Sequence, residues 1–361
     1  MKKKFLGVVL SVAMVASLLA GCGDKEDKPQ EDNAATEAPA DDANGDAEAT
    51  EAPADDNAQD EGNASGEEIY VGVINNNPTE SGYRTANDKD LREKFCPENG
   101  YKAEFVYGDK NEEQISAAQQ LINNGVDYLL LSAADTAGWE TVLEDAKNAG
   151  IKVILFDRTI DAPEDLYEAS IVSDMDKEGE TAVNWLAEQG LDKYNIIHIQ
   201  GKMGSAAQKG RSKALETKVA DDDNWNIVTQ QTGNWESSEA QEIVQSAIDA
   251  KKEFNVIYAE NDNMADGAVK ALDKAGITHG ADGDVIIMGF DCNKFALKAV
   301  KEGKWNYDGQ CNPFQAKYIE DIIKKLENGE PIDEKTVILD EKYFDSKTIT
   351  DEDIETYGIG E

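Results

Sequence analysis

At 361 residues the chain is long enough to bury two ordinary cores. It carries 74 acidic against 35 basic residues, a formal net charge of −39. That balance argues against a nucleic-acid partner, because phosphate binding needs a basic surface, and it suits a well-solvated exported protein.

The first 22 residues read as a targeting segment. Lys2, Lys3 and Lys4 form a charged start, and Phe5 to Ala20 is an apolar stretch short for a membrane span. It runs into Leu19-Ala20-Gly21-Cys22, which resembles the lipobox of bacterial lipoproteins. The resemblance implies cleavage before Cys22 and a lipid on its sulfur, tethering the chain outside the cytoplasmic membrane.

Residues 23–66 contain no aromatic and repeat Ala-Thr-Glu-Ala-Pro-Ala-Asp-Asp at 35–42 and 49–56. Such a tract cannot bury enough apolar surface to offset its ordering entropy, so a disordered, acidic stalk is expected.

From Ile69 strands and helices alternate. Ile69–Ile74 is a strand, Tyr83–Lys94 a helix, Ala103–Tyr107 a strand, Glu112–Asn123 a helix and Val126–Leu131 a buried strand. Helix Gly138–Asn148 closes at Gly150, a residue that suits a helix end. The strand Ile151–Phe156 then ends in Asp157-Arg158. Apolar runs of this kind belong to parallel strands buried on both faces. After Ser173-Asp174 the rhythm restarts. Helices Asp176–Glu188, Ala206–Val219, Ser237–Ala250 and Met264–Lys274 alternate with strands Asn195–Gln200, Asn226–Thr229, Asn255–Ala259 and Val285–Phe290. Helix Lys294–Lys301 follows. Trp305–Gly309 reads as a strand running back toward the first domain, Pro313 as the start of helix Phe314–Leu326, and Lys335–Leu339 as a late strand. The expected fold is α/β, with two doubly wound parallel-sheet domains joined by a hinge. The first lobe takes residues 69–173 and 311–340, the second 174–310 and 341–361. Ser173-Asp174 and Gln310 are the hinge candidates.

Polar groups gather after successive strands, where open α/β sheets bind ligands. Glu80, Tyr83 and Arg84 follow the first strand, and Asp157 and Arg158 end the fourth. The second half adds Arg211, Trp235, Asn261, Asp291 and Gln310. Carboxylates accept from hydroxyl groups, Arg and Asn bridge neighbouring hydroxyls, and a flat ring covers a C–H face. The inventory points to a neutral polyol or sugar. Taken singly, each has a plainer reading: Tyr83 as a core residue, Trp235 as a loop anchor, Arg211 as the partner of an acid such as Glu216, Asn261 and Asp291 as helix caps.

Ile154-Leu-Phe-Asp-Arg158, Tyr258-Ala-Glu-Asn-Asp-Asn-Met-Ala-Asp-Gly-Ala268 and Met288-Gly-Phe-Asp291 resemble the strand-end motifs of the type I periplasmic sugar-binding proteins of ABC importers. The likeness covers roughly residues 69–345. Glu80-Ser-Gly-Tyr-Arg-Thr-Ala86 with Gly138-Trp-Glu-Thr-Val-Leu-Glu-Asp-Ala-Lys147 is similar to the galactofuranose-binding branch, which carries Trp where Tyr83 stands. The resemblance implies that Glu80, Tyr83 and Arg84 line the first-lobe wall and that Asp157 and Arg158 grip ring hydroxyls. Arg211 reaches in from the second lobe, Trp235 stacks on the sugar, and Asn261, Asp291 and Gln310 complete the ring of partners. It implies a monomeric carrier that passes a monosaccharide, a galactofuranose-like hexose or a pentose, to membrane permease subunits. A tethered sensor facing a signalling receptor would use the same cleft.

No cofactor and no metal site is expected. Asp174-Met-Asp-Lys-Glu-Gly179 starts like a calcium loop, but its twelfth position is Trp185. Gly201-Lys-Met-Gly-Ser205 lacks the end of a P-loop and reads as a helix start. His198 and His279 are the only histidines, and no hydrolase or zinc motif surrounds them, so no enzyme is expected. Cys96, Cys292 and Cys311 allow at most one disulfide, with free thiols an equal alternative. On this reading, Ala at Asp157 or Arg158 spares the fold and removes most sugar affinity.

Overall fold

The computed structural model describes residues 68–360; the expected signal segment, Cys22 and the acidic tract lie outside the described residues. The chain opens with β1 (Ile69–Asn75), α1 (Gly82–Lys94), β2 (Tyr101–Tyr107), α2 (Asn111–Asn124), β3 (Tyr128–Leu131), α3 (Glu140–Asn148), β4 (Lys152–Asp157) and β5 (Ala169–Val172). These strands pair in parallel in the order β5-β4-β3-β1-β2. Their side chains divide by the two-residue period of a strand. Val71, Val73, Leu130, Ile154 and Phe156 enter one apolar cluster, and Ile74, Leu129, Leu131, Val153 and Leu155 the other. Helices cover both faces, which is why the strands read as unbroken apolar runs.

The chain then crosses to a second sheet. It contains α4 (Met175–Ala187), β6 (Tyr194–Gln200), α5 (Ala206–Asp221), β7 (Trp225–Thr232) and α6 (Ser237–Asp249), then β8 (Val256–Ala259), α7 (Asp262–Ala275), β9 (Ile286–Phe290), α8 (Lys294–Lys301) and β10 (Tyr307–Gly309). The order is β10-β9-β8-β6-β7, again parallel. It too is packed on both faces by apolar clusters. Two short returns finish the fold. Helix α9 (Ala316–Glu327) and β11 (Thr336–Ile338) go back to the first lobe, where β11 joins β5 in parallel. Strand β12 (Tyr343–Asp345) then pairs antiparallel with β10, and α10 (Asp351–Tyr357) packs on α8. The fold is that of two parallel-sheet α/β domains linked by three passages of the chain.

Two sequence expectations change. β10 does not run back toward the first lobe; Tyr307, Asp308 and Gly309 pair with Met288, Gly289 and Phe290 inside the second sheet. Pro313 does not open α9, which starts at Ala316 after Gln315. Its carbonyl instead accepts from Asn87 Nδ2 at 2.9 Å and from the Gln315 N–H at 3.1 Å, fixing the passage that precedes the helix. Cys96, Cys292 and Cys311 are free thiols.

Candidate ligand site between the lobes

The carboxyl ends of β1, β4, β6, β7, β8 and β9 converge on a cavity of about 300 Å³ between the lobes. Glu80, Tyr83, Arg84, Asp157, Arg158, Arg211, Trp235, Asn261 and Asp291 all line it, together with Ser81, Met175, Ala207 and Cys311. Gln310 does not. It lines an adjoining cavity at the hinge, and its side-chain oxygen accepts from the Lys342 N–H at 3.2 Å.

The first-lobe wall is built around Asp157. Its backbone stands at φ +63, a left-handed conformation that Asp tolerates better than most residues. Arg84 Nη2 approaches Asp157 Oδ2 at 2.6 Å, Ser132 Oγ donates to the same oxygen at 2.7 Å, and Tyr83 Oη donates to Oδ1 at 2.8 Å. Burial pushes the Asp157 carboxyl up, but Arg84, Arg158, Ser132 and Tyr83 together hold it below the usual range. Arg84 is carried on the first turn of α1, whose N-cap is Ser81. It also reaches Asn75 Oδ1 at 3.3 Å and Glu80 Oε2 at 3.4 Å. Arg158 is less well met: Nη1 donates to the Ala133 carbonyl at 3.2 Å, and its buried Nε has no hydrogen-bond partner. Burial and the nearby Arg84 charge lower its pKa. Removing Asp157 would therefore take the nearest negative charge from two buried guanidinium groups, which argues against the expectation that Ala at 157 spares the fold.

The second-lobe wall is built around Arg211 on α5. Its Nε meets Glu178 Oε2 at 2.6 Å, Nη2 meets Asp291 Oδ1 at 3.2 Å, and Nη1 donates to the Glu260 carbonyl. The guanidinium lies 4.8 Å above the Phe290 ring. Glu216, the neighbour suggested by sequence, instead accepts from Gln230. Asp291 stands at φ +106, and burial pushes its carboxyl up, with Arg211 opposing and Glu178 adding to the rise, to about 7. Trp235 stands at φ +71 with its ring against Gly201, where a Cβ would come within 1.8 Å of the indole. Its buried Nε1 has no partner. Asn261 combines two readings: its oxygen caps α7 by accepting from the Met264 N–H at 2.9 Å, and it still faces the cavity.

The lobes meet across the mouth. Lys202 Nζ lies 3.6 Å from Glu80 Oε1, the Gly82 N–H points at Asn263 Oδ1 at 3.5 Å, and the Thr136 N–H donates to the Gly204 carbonyl at 3.3 Å. Lys209 donates to Thr136 Oγ1 and lies 3.8 Å from Asp161. Close approach is possible because residue 82 has no side chain. A Cβ there would sit 1.8 Å from Asn293 Oδ1. The Tyr83 ring packs into the apolar cluster of the second lobe. This is a closed arrangement.

Three carboxyl groups (Glu80, Asp157, Asp291) face three guanidinium groups (Arg84, Arg158, Arg211) in the lining. The cavity thus balances its charges and suits a neutral, polar ligand. His198 is buried away from it and bonds Glu260 at 2.8 Å, so this imidazole is not offered to the cavity. Sequence reasoning missed the residues that hold the walls: Asn75, Ser132, Glu178, Glu260 and Gln315, whose Nε2 donates to Tyr83 Oη at 3.2 Å.

The profile described as periplasmic binding protein domain matches residues 71–331. The fructose import binding protein FruE of Bifidobacterium longum is 30% identical over 284 residues, 76% of this chain and 84% of that protein. The galactofuranose-binding protein YtfQ of Escherichia coli is 29% identical over 266 residues, 72% of this chain and 83% of its own. A Mycobacterium smegmatis protein crystallised with β-D-fucofuranose superposes with a TM-score of 0.72 at 31% identity, covering 77% of this chain and 92% of that one. With its two parallel-sheet lobes and a polar cavity at their strand ends, the chain belongs to the periplasmic binding protein family, a family of solute-binding proteins and not of enzymes.

Proposed function

We propose that the chain is an extracytoplasmic, lipid-anchored binding protein that captures a monosaccharide in its furanose form, a galactofuranose-like hexose or a pentose, and delivers it to an ABC permease. One observation carries the reading. Trp235 Nε1 is buried without a partner, Arg158 Nε and Glu80 Oε1 are buried with only long ionic contacts, at 3.5 Å to Asp157 and 3.6 Å to Lys202, and all three belong to residues of one cavity contributed by both lobes. Ring hydroxyls would complete them. Glu80 and Asp157 accept, Arg158 and Arg211 donate, and Asp291, poised near neutrality, can do either. Trp235 offers a flat face to the ring carbons. The likeness to proteins named for galactofuranose and crystallised with a fucofuranose supports the five-membered ring. Lipid attachment rests on Leu19-Ala20-Gly21-Cys22, and delivery on the family.

A thermal-shift screen of pentoses and hexoses, followed by calorimetry, tests the proposal. A ligand of the folded state raises the melting temperature. Stabilisation by sugars that populate furanose rings, and a weaker response to sugars locked as methyl pyranosides, is the expected result. Equal response to locked pyranosides overturns the ring form, and no response to any monosaccharide overturns the ligand class.

A further inference from the structure

At the three passages between the lobes, three side chains of metal-ligating type come together. Glu178 lies in the first turn of α4, just after the first passage; Cys311 is in the second, and Glu341 in the third. Each offers a ligand atom, and these atoms all lie within 4.8 Å of one another. Glu178 and Cys311 are buried and Glu341 is half-buried. The Glu178 carboxylate is divided in its duties. Oε2 holds Arg211 Nε at 2.6 Å, whereas Oε1 is buried, on a side chain only 5% exposed, with no donor beside it but the Cys311 thiol and the Glu341 carboxyl. Glu341 is oriented by Ser173 Oγ, which donates to Oε1 at 2.6 Å, and by the Asn312 N–H at 2.7 Å. Both glutamates line the adjoining cavity of about 450 Å³, a path by which a small ion and its remaining water could enter.

We propose that the hinge binds a divalent cation of the zinc class through Glu178 Oε1, Cys311 Sγ and the Glu341 carboxylate, with water from the adjoining cavity in the fourth position. One thiolate with two carboxylates suits zinc, which takes sulfur and oxygen ligands in a tetrahedron, better than calcium or magnesium, which require oxygen alone. A thiol and a carboxyl must be deprotonated to hold a cation, so binding would tighten as pH rises. Arg211 does not preclude it, since its guanidinium is already met by Glu178 Oε2 and Asp291. A bound ion would tie the three passages together behind the ligand cavity, which Cys311 also lines.

The test uses the full chain without an affinity tag and the metal alone, so its outcome does not depend on the sugar reading. Zinc binding is followed by calorimetry and cobalt binding by absorbance. One equivalent should bind, with a thiolate-to-cobalt charge-transfer band. Cys311→Ser should abolish the band, and Glu341→Gln, whose amide oxygen can still accept from Ser173 and Asn312, should weaken zinc by more than about 10-fold, the least expected for a direct ligand. Cys96→Ser should leave both unchanged. Absence of zinc binding at about millimolar metal, a band that survives Cys311→Ser, or a band lost in Cys96→Ser would overturn the assignment.

Discussion

Replacing Asp157 by Asn keeps the size of the side chain and tolerates the left-handed backbone at φ +63, but it removes the charge. Arg84 and Arg158 are both buried against that charge, at 2.6 and 3.5 Å from Asp157 Oδ2. Taking one partner from a buried pair costs about 3–5 kcal/mol. Arg84 keeps Glu80, Asn75 and Ser132, and the Asn oxygen can still accept from Tyr83. The lower end, about 3 kcal/mol, is therefore expected. Urea unfolding at neutral pH, read by circular dichroism, gives the difference from the shift in midpoint. The pH dependence separates charge from shape. The folded Asp157 carboxyl is held below its ordinary value, so its stabilisation is present above about pH 4 and is lost as pH falls through the depressed value. The gap between wild type and Asp157→Asn should therefore narrow below about pH 4. A gap under about 1 kcal/mol at neutral pH, or one that stays constant into acid, would refute the view that this carboxylate anchors the wall through its charge.

Arg158→Ala should behave differently, because Arg158 makes one hydrogen bond to the protein and its Nε has only a long ionic contact, 3.5 Å from Asp157. Calorimetry should show sugar affinity lower by about 10- to 100-fold, the value of a charged hydrogen bond, with a smaller change in urea midpoint than for Asp157→Asn. Gly82→Ala should obstruct closure, since the new Cβ would meet Asn293 Oδ1, and Asn293 is itself held by Asp262 at 3.0 Å. A cost of about 1–3 kcal/mol on the closed state predicts affinity lower by roughly 5- to 150-fold at an unchanged melting temperature of the free protein, checked by calorimetry and small-angle scattering. Lys209→Met removes a half-exposed contact across the mouth and should weaken binding by no more than about fivefold, with the difference shrinking in high salt.

Much of this fold is legible in the sequence for one reason: parallel strands covered on both faces need apolar interiors, as in Tyr128–Leu131 and in Val153–Phe156 within Lys152–Asp157. Where that signal weakens, elements escape notice. Ala169–Val172 is four residues with only two strong apolar side chains. Tyr343–Asp345 is three residues and pairs antiparallel at the sheet edge. Helix Asp351–Tyr357 buries only Ile354, although its capping box, Thr350 with Asp353, was available as a sign. The cavity is partly legible by the same logic, because strand ends are marked by sudden polarity after an apolar run. Its supports are not. Ser132 and Gln315 are ordinary polar residues lying 25 residues from Asp157 and 232 from Tyr83 along the chain, and only the fold brings them to those partners.

Six non-glycine residues among those described have positive φ, and Asp157, Trp235 and Asp291 line this one cavity. Each such backbone costs on the order of 1–3 kcal/mol, and each buried polar atom left unpaired costs a similar amount. Trp235 Nε1 belongs to the second class, and Arg158 Nε and Glu80 Oε1 come near it, without hydrogen bonds and with ionic contacts only at 3.5 and 3.6 Å. A fold shaped for stability alone would put glycine at the three positions and apolar groups at the ends of the three side chains. Here both kinds of cost gather where the two sheets face each other, and the unpaired groups come from both lobes. Opening the mouth would hydrate them at once, so without a ligand the closed arrangement is held back by its own unmet groups. A ligand shifts such an equilibrium only through contacts that differ between the two states. Donors and acceptors split between Arg158 on one wall and Trp235 on the other supply that difference, since only the closed form offers both to the same molecule.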